Sequence, residues 1–260
     1  MRAGVTILGL GMLLLAGCGT HGGGFPQTQV PALPPTEVNL PGTFQAGSPD
    51  EQAISLTFAM AKAVKALPGA SYEAVTYCRG KLGARPKGLP ELADGNWEAT
   101  STAVETFRAP AEYKVERAND GDPRTSGFKL HITGIAVELR APGWRGAFAG
   151  HTELADPSML DFRGQRRDAT DFAGLARRLG GAASARYLGT EDLAGATLDL
   201  VEIPRGPRED AQITREVLGL DANTHLPLLV RRYVGKALVF QRALKTLNVA
   251  AHVPAAELAI

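Results

Sequence analysis

Apolar and polar residues alternate along two short segments in the middle of the chain. The apolar positions are Phe128, Leu130 and Ile132 in the first segment, and Ile135, Val137 and Leu139 in the second. A period of two is typical of β-strands that bury one face and expose the other. Because Gly134 lies between the segments and glycine accepts the positive φ of tight turns, the pattern predicts a β-hairpin.

Other segments have the same β character, and most of them are followed by Gly, Pro, Asn or Asp. These predicted strands are 72–82, 97–108, 112–118, 197–203, 212–220, 226–234 and 237–247. Since short links join many consecutive strands, we expect an antiparallel meander.

A first helix is predicted from Ser48 to the Pro68-Gly69 pair. Ser48 is the N-cap, and Glu51 lies three residues later, where it completes a capping box. Apolar residues then recur at helical spacing in two series, one that contains Phe58 and one that contains Met60. Such a helix must bury an apolar face against another element.

A second helix is predicted after Asp168, its expected N-cap. Phe172 and Leu175 share an apolar face, Arg177 lies in the last turn, and Gly180 marks the end. Two helices are too few for an α/β protein. The pattern therefore predicts an α+β fold, in which a curved antiparallel β-sheet has helices covering its concave face.

The N-terminus has the features of an export signal. Arg2 precedes an apolar run from Val5 to Leu15, which is well short of the ~20 residues that cross a bilayer. The following Leu15-Ala16-Gly17-Cys18 segment resembles the bacterial lipoprotein signal motif. That resemblance implies cleavage after residue 17 and lipidation of Cys18, which would then anchor the chain in a membrane.

A low-complexity segment rich in Gly and Pro separates Cys18 from the first predicted helix. We expect the lipidated Cys18 and a disordered tether to span 18–47, with the folded domain at 48–250 and a C-terminal tail at 251–260. The protein is expected to be extracytoplasmic and held in the cell envelope by its anchor.

Charge and cysteine content bear on the partners of the protein and on what stabilises its fold. The formal net charge is +1 with acidic and basic residues interleaved, so nothing favours a nucleic acid partner. Apart from Cys18 the only cysteine is Cys78, so the domain must be stabilised by its core and not by a disulfide. Cys78 is interpreted as a small buried hydrophobic residue.

The sequence contains none of the common catalytic or cofactor-binding motifs. The five histidines are isolated from one another, and none has a second ligand at metal-binding spacing. Asp161, Asp168 and Asp171 lie among arginines and are interpreted as a solvated charge network. No cofactor, metal or enzymatic activity is therefore expected, although catalytic residues can converge from distant positions.

Three short motifs resemble the LolA/LolB-like superfamily. The first is the 105–110 segment, Glu-Thr-Phe-Arg-Ala-Pro, leading into Tyr113-Lys114 at the start of the next predicted strand. The second is the acidic turn at 188–195 before a strand, and the third is the Asp–turn–Leu-Pro sequence at 220–228.

The resemblance implies an incomplete antiparallel β-barrel that is closed by helices and encloses an apolar cavity for acyl chains of lipids or lipoproteins. The chain departs from the soluble carriers of this superfamily because it has its own anchor at Cys18. It also has Ala141-Pro142-Gly143 where many members carry an aromatic-Asp-Pro turn.

The resulting hypothesis is a membrane-anchored envelope lipoprotein whose half-barrel binds acyl chains of a lipid or lipoprotein for carriage or insertion. Two alternatives stay open: a non-enzymatic envelope sensor or protein-interaction module with a filled cavity, and a hydrolase or metalloenzyme with a convergent catalytic cluster. Each cavity candidate could also be an ordinary packed core residue. The candidates are Phe58, Phe107, Tyr113, Val115, Phe128, Leu130, Ile132, Ile135, Val137, Leu139 and Phe172.

Overall fold

A computed structural model describes eight ranges of the chain, namely 51–81, 92–118, 126–133, 136–142, 148–151, 171–179, 185–203 and 213–260. All of them belong to one compact unit, Leu40–Ile260. Several predictions fall outside the described residues: the signal peptide, Cys18 and the tether, the Ser48 cap, Gly134, Ile135, Asp161 and Asp168.

The described residues contain an eleven-stranded sheet in which every neighbouring pair is antiparallel. The strands are β1 (Gly69–Lys81), β2 (Asn96–Arg108), β3 (Glu112–Arg117), β4 (Lys129–Thr133), β5 (Ala136–Arg140), β6 (Phe148–His151), β7 (Arg186–Leu193), β8 (Ala196–Ile203), β9 (Arg215–Asp221), β10 (Pro227–Val234) and β11 (Ala237–Val249).

The strand order is β6-β5-β4-β3-β2-β1-β11-β10-β9-β8-β7. Two meanders thus meet where β1 pairs with β11, and the sheet ends at β6 and β7 without closing into a barrel. This confirms the predicted α+β fold with a curved antiparallel sheet. The sequence pattern missed β6 and β7, because β6 is very short and β7 mixes a glycine with charged residues and shows no alternation.

Three helices are described: α1 (Glu51–Ala66), α2 (Phe172–Leu179) and α3 (Ala255–Leu258). None of these is long and apolar enough to span a bilayer. In chain order, α2 lies between the two edge strands β6 and β7, and α1 packs against it. Asp171 caps α2, since Asp171 Oδ1 accepts a hydrogen bond from the backbone N–H of Gly174 at 2.7 Å; the predicted cap, Asp168, lies outside the described residues.

The sheet has an inner face, which carries Phe107 and contacts α2, and an outer face, which carries Val104. Along β2 burial alternates strictly, so that Phe107 is 1% exposed whereas Val104 is 52% exposed. Buried side chains alternate with more exposed ones along β3 and β4 in the same way. These strands bury one face only.

The strands β9, β10 and β11 are different, because both of their faces are buried. The outer face here includes Val217, Leu229, Arg231, Gln241 and Ala243, all of them buried. We call β2–β5 the one-sided half of the sheet and β9–β11 the two-sided half.

The segment 251–260, predicted as a tail, packs against the domain. Val253 and Leu258 are buried, and α3 lies near β3. Gly69 makes room for this contact, since a Cβ atom there would lie 2.5 Å from Cγ2 of Val253.

Candidate functional site

The inner face of the one-sided half forms an apolar wall that crosses four strands. Strand register places its side chains in cross-strand rows: Phe107 is opposite Tyr113, Tyr113 opposite Ile132, Val115 opposite Leu130, and Leu130 opposite Leu139. All of these side chains are buried except Leu139, which is half-buried and packs against the core. Because the rows adjoin one another, the wall is continuous from β2 to β5.

An aromatic cluster joins this wall to α2. The ring of Phe172 lies edge-on to Tyr72 and Phe107, with centroids 5.3 and 5.7 Å away. Phe107 in turn contacts Tyr113 at 5.0 Å, and the Tyr113 hydroxyl accepts a hydrogen bond from the backbone N–H of Ala173 at 3.1 Å. The first turn of α2 is thus packed on the wall by both aromatic contact and a hydrogen bond.

The structure brings most of the predicted cavity residues together. Phe107, Tyr113, Val115, Leu130, Ile132 and Phe172 are buried on the wall or against it. Phe128 is half-buried just before β4, and Val137 pairs with Ile132 in the backbone register, although its side chain lies outside the described part. Ile135 also lies outside that part.

Phe58 does not lie on the buried face of α1, and its assignment to the cavity stays a prediction. The buried face of α1 is formed by Ala53, Thr57, Met60 and Val64, whereas Phe58 is 55% exposed. At 100° per residue, Phe58 points away from the face that Met60 and Val64 share. Of the two apolar series in the sequence, only the one that contains Met60 marks the core.

The sequence pattern missed a buried ion pair on the inner face, between β2 and β11. Arg242 donates a hydrogen bond from Nη2 to Glu105 Oε2 at 2.7 Å, and both side chains are less than one tenth exposed. Burial alone would lower the pKa of Arg242, but the negative charge of Glu105 outweighs it and raises the pKa. The sequence did contain a signal for this ion pair, since Glu105 is a charged residue at an inward position in the alternation of β2.

A second buried cluster joins the other end of α2 to the two-sided half. Arg178 donates to both carboxylate oxygens of Glu216 at 2.7 Å, and Arg232 lies 3.4 Å from the same carboxylate. Glu216 and Arg232 are fully buried, and the Arg232 guanidinium also lies over the ring of Phe240. The inner face therefore combines an apolar wall with two buried ionic clusters.

No group of three or more His, Cys, Asp or Glu side chains in the described part of the chain could hold a metal ion. Cys78 is buried as predicted. Asp171 does not belong to a solvated network, because it is buried at the start of α2.

No family model matches the sequence, and no curated protein matches it. Solved structures do show similarity. The lipoprotein LppX of Mycobacterium tuberculosis is 15% identical with a TM-score of 0.47, and the match covers 79% of this chain and 100% of LppX.

A putative outer membrane lipoprotein-sorting protein domain from Vibrio parahaemolyticus is 13% identical with a TM-score of 0.39, covering 80% of this chain and 96% of that domain. MucB in the Pseudomonas aeruginosa MucA/MucB complex is 16% identical with a TM-score of 0.40, covering 80% of this chain and 61% of that one.

Proposed function

We propose that the protein is a membrane-anchored envelope lipoprotein that binds acyl chains of a lipid or lipoprotein against its inner apolar wall, for carriage or insertion. The observation that supports this proposal is the continuous wall of buried apolar side chains across β2–β5, which faces the apolar side of α2. Acyl methylenes are recognised by contact area alone, at roughly 0.8 kcal/mol for each methylene buried.

The anchor is the second part of the proposal and rests on the Leu15-Ala16-Gly17-Cys18 motif. One acyl chain binds a bilayer only marginally, whereas two or three chains hold firmly. The domain would therefore work on the extracytoplasmic side of a membrane, without covalent chemistry of its own.

The anchor assignment is tested by Cys18→Ala. Without the thiol no acyl chains can be attached, so we expect an uncleaved precursor or a soluble domain in fractionated cells. A cleaved mature protein that still sediments with membranes would contradict the assignment.

The acyl-binding assignment is tested on a chain that starts at Leu40. The core residues of the described ranges lie between Ala53 and Leu258, so this chain keeps all of them and lacks Cys18. Mass spectrometry of organic extracts of the purified domain should find lipid, and a fluorescent fatty acid should bind and be displaced by unlabelled fatty acid.

The site itself is tested by Leu130→Asn, with Val104→Asn as the matched control. Leu130 is 2% exposed on the wall and Val104 is 52% exposed on the outer face. If cargo occupies the wall, Leu130→Asn should weaken probe binding strongly and cost less than the roughly 2 to 5 kcal/mol expected of a packed core. Val104→Asn should change neither quantity.

The alternative is a protein-interaction or sensor module with a filled interior. It is favoured by the charged side chains on the inner face, since Glu105, Glu216, Arg232 and Arg242 occupy buried positions there. Outright unfolding of Leu130→Asn, or a wild-type domain that never takes up probe or lipid, would make this alternative the better account.

A further inference from the structure

The face of α1 that points away from the core carries an exposed aromatic side chain. Phe58 lies two residues before the buried Met60, about 160° away around the helix. It is 55% exposed, and it is the only aromatic among the exposed large hydrophobic side chains of the described residues.

Two lysines share this face. Lys62 and Lys65 follow Phe58 by four and seven residues, which puts them on the same side of the helix. Both are exposed, and neither forms an ion pair with another residue in the described ranges. Glu51 also lies on this side, but it is seven residues before Phe58, roughly 10 Å along the axis. The second half of the face is therefore apolar and basic.

The position of α1 in the chain limits how far this face can lie from the membrane that holds the anchor. The helix begins at Glu51, directly after the segment expected to tether the domain to Cys18. If these roughly 30 residues form a coil as expected, they span roughly 30 Å on average. Because α1 is the first described element after them, the length of this segment limits how far α1 can lie from the bilayer that holds the anchor.

We infer that the exposed face of α1, formed by Phe58, Lys62 and Lys65, docks on an anionic membrane surface. An aromatic ring with lysines one and two turns away suits the boundary between headgroups and acyl chains, where the ring is buried and the ammonium groups meet anionic headgroups. Because α1 packs against α2, docking brings the helices of the inner face next to the membrane. The inference rests on the anchor of the proposed function and not on acyl binding.

The experiment uses the lipidated full-length chain reconstituted in vesicles. Phe58→Cys is labelled with a polarity-sensitive fluorophore, and Val104→Cys, a similarly exposed position on β2, is the matched control. Cys18 is blocked by its lipid and Cys78 is buried, so the label goes to the introduced cysteine. Vesicles of phosphatidylglycerol with phosphatidylethanolamine are compared with vesicles of phosphatidylcholine.

We expect a blue shift at position 58 on the anionic vesicles only, reversed by high salt, and no shift at position 104. Lys62→Gln or Lys65→Gln should lower the ratio of docked to undocked protein by about fivefold each, as each lysine near an anionic surface contributes to binding. Lys236→Gln, an exposed lysine in the turn between β10 and β11, should leave this ratio unchanged.

The absence of a shift at position 58 on anionic vesicles overturns the inference, as does an equal shift at position 104 or an equal loss with Lys236→Gln. Failure of the anchor is recognised separately, because the protein would then leave the vesicles altogether. Thermal melting of each variant excludes unfolding as the cause, and Lys62 and Lys65 are exposed enough for their substitutions to leave the fold intact.

Discussion

The two halves of the sheet differ in where their ion pairs lie. Pairs formed within the one-sided half lie on its outer face, as where Glu116 meets Lys114 and Lys129. Glu105, which points inward from β2, pairs with Arg242 of the two-sided half. In the two-sided half ion pairs are inside, where Glu216 meets Arg232 and where Arg231 binds Glu191 through two hydrogen bonds of 2.6 and 2.7 Å. Both faces of the two-sided half therefore contain buried charge.

This difference predicts how much stability each half loses when a charged side chain is removed. An exposed ion pair contributes roughly 0 to 1 kcal/mol, because water solvates both partners when the pair is broken. Removal of one partner from a buried pair costs about 3 to 5 kcal/mol, because the other charge is left without solvent. The one-sided half, with its apolar wall, is thus the half that can change its inner contacts, whereas the two-sided half is fixed by its charges.

The largest effect is expected from Glu216→Gln. The amide keeps the shape of the carboxylate but removes the charge that Arg178 and Arg232 share, so the free energy of unfolding should fall by about 3 to 5 kcal/mol. Urea unfolding measures this loss. Glu116→Gln, on the one-sided half and 37% exposed, is the control and should cost less than about 1 kcal/mol. Equal losses in the two variants would remove the distinction between the halves.

The next effect concerns apolar residues on the outer face. Leu229 is fully buried in β10, whereas Val104 is 52% exposed in β2. Leu229→Ala should lower the free energy of unfolding by about 2 to 5 kcal/mol, because it opens a cavity. Val104→Ala should change it by no more than about 0.5 kcal/mol. If thermal and urea unfolding show that Leu229→Ala is also tolerated, the outer face of β10 is not packed.

The one-sided half could be predicted from sequence because its burial follows local alternation. Phe107, Tyr113 and Leu130 each occupy an inward position that the period of two identifies. The order of the strands followed from their short links, but the pairing of β1 with β11 joins the two ends of the domain and has no local signal.

The polar part of the site could not be predicted, since it depends on contacts between distant segments. Arg178 and Glu216 are 38 residues apart, and Glu105 and Arg242 are 137 residues apart. The exposure of Phe58 could not be predicted either, because an amphipathic pattern with two apolar series does not show which series faces the core. The packing of α1 against α2, β7 and β8 decides between them.

The smallest effect concerns pH and a charge cluster on the outer face of the one-sided half. Glu112 Oε1 lies 2.7 Å from His131 Nε2, and Arg108 donates from Nε to Glu112 Oε2 at 2.7 Å. Burial alone would raise the pKa of Glu112, but the hydrogen bonds and charges of His131 and Arg108 outweigh it and lower the pKa below its usual 4.5. The folded state therefore binds this proton more weakly than the unfolded state does.

A lowered carboxyl pKa stabilises the fold above the unfolded pKa, and this contribution disappears as the pH falls through the folded pKa. The stability from Glu112 should thus be complete at pH 7 and be lost progressively below about pH 4.5. Glu112→Gln should lower the melting temperature at pH 7 by about two to four degrees, since this half-buried pair, with Glu112 14% exposed, contributes about 1 kcal/mol. It should also flatten the decline of the melting temperature between pH 5 and pH 3, roughly the range over which such a carboxyl titrates.

Glu138→Gln is the control, because Glu138 is 51% exposed and lies 3.7 Å from the other nitrogen of His131. If the melting temperature of Glu112→Gln falls as steeply with acid as that of the wild type, the pair of Glu112 and His131 does not contribute to stability. The difference in stability between this outer-face pair and the buried pairs of Glu216 would then be larger than expected.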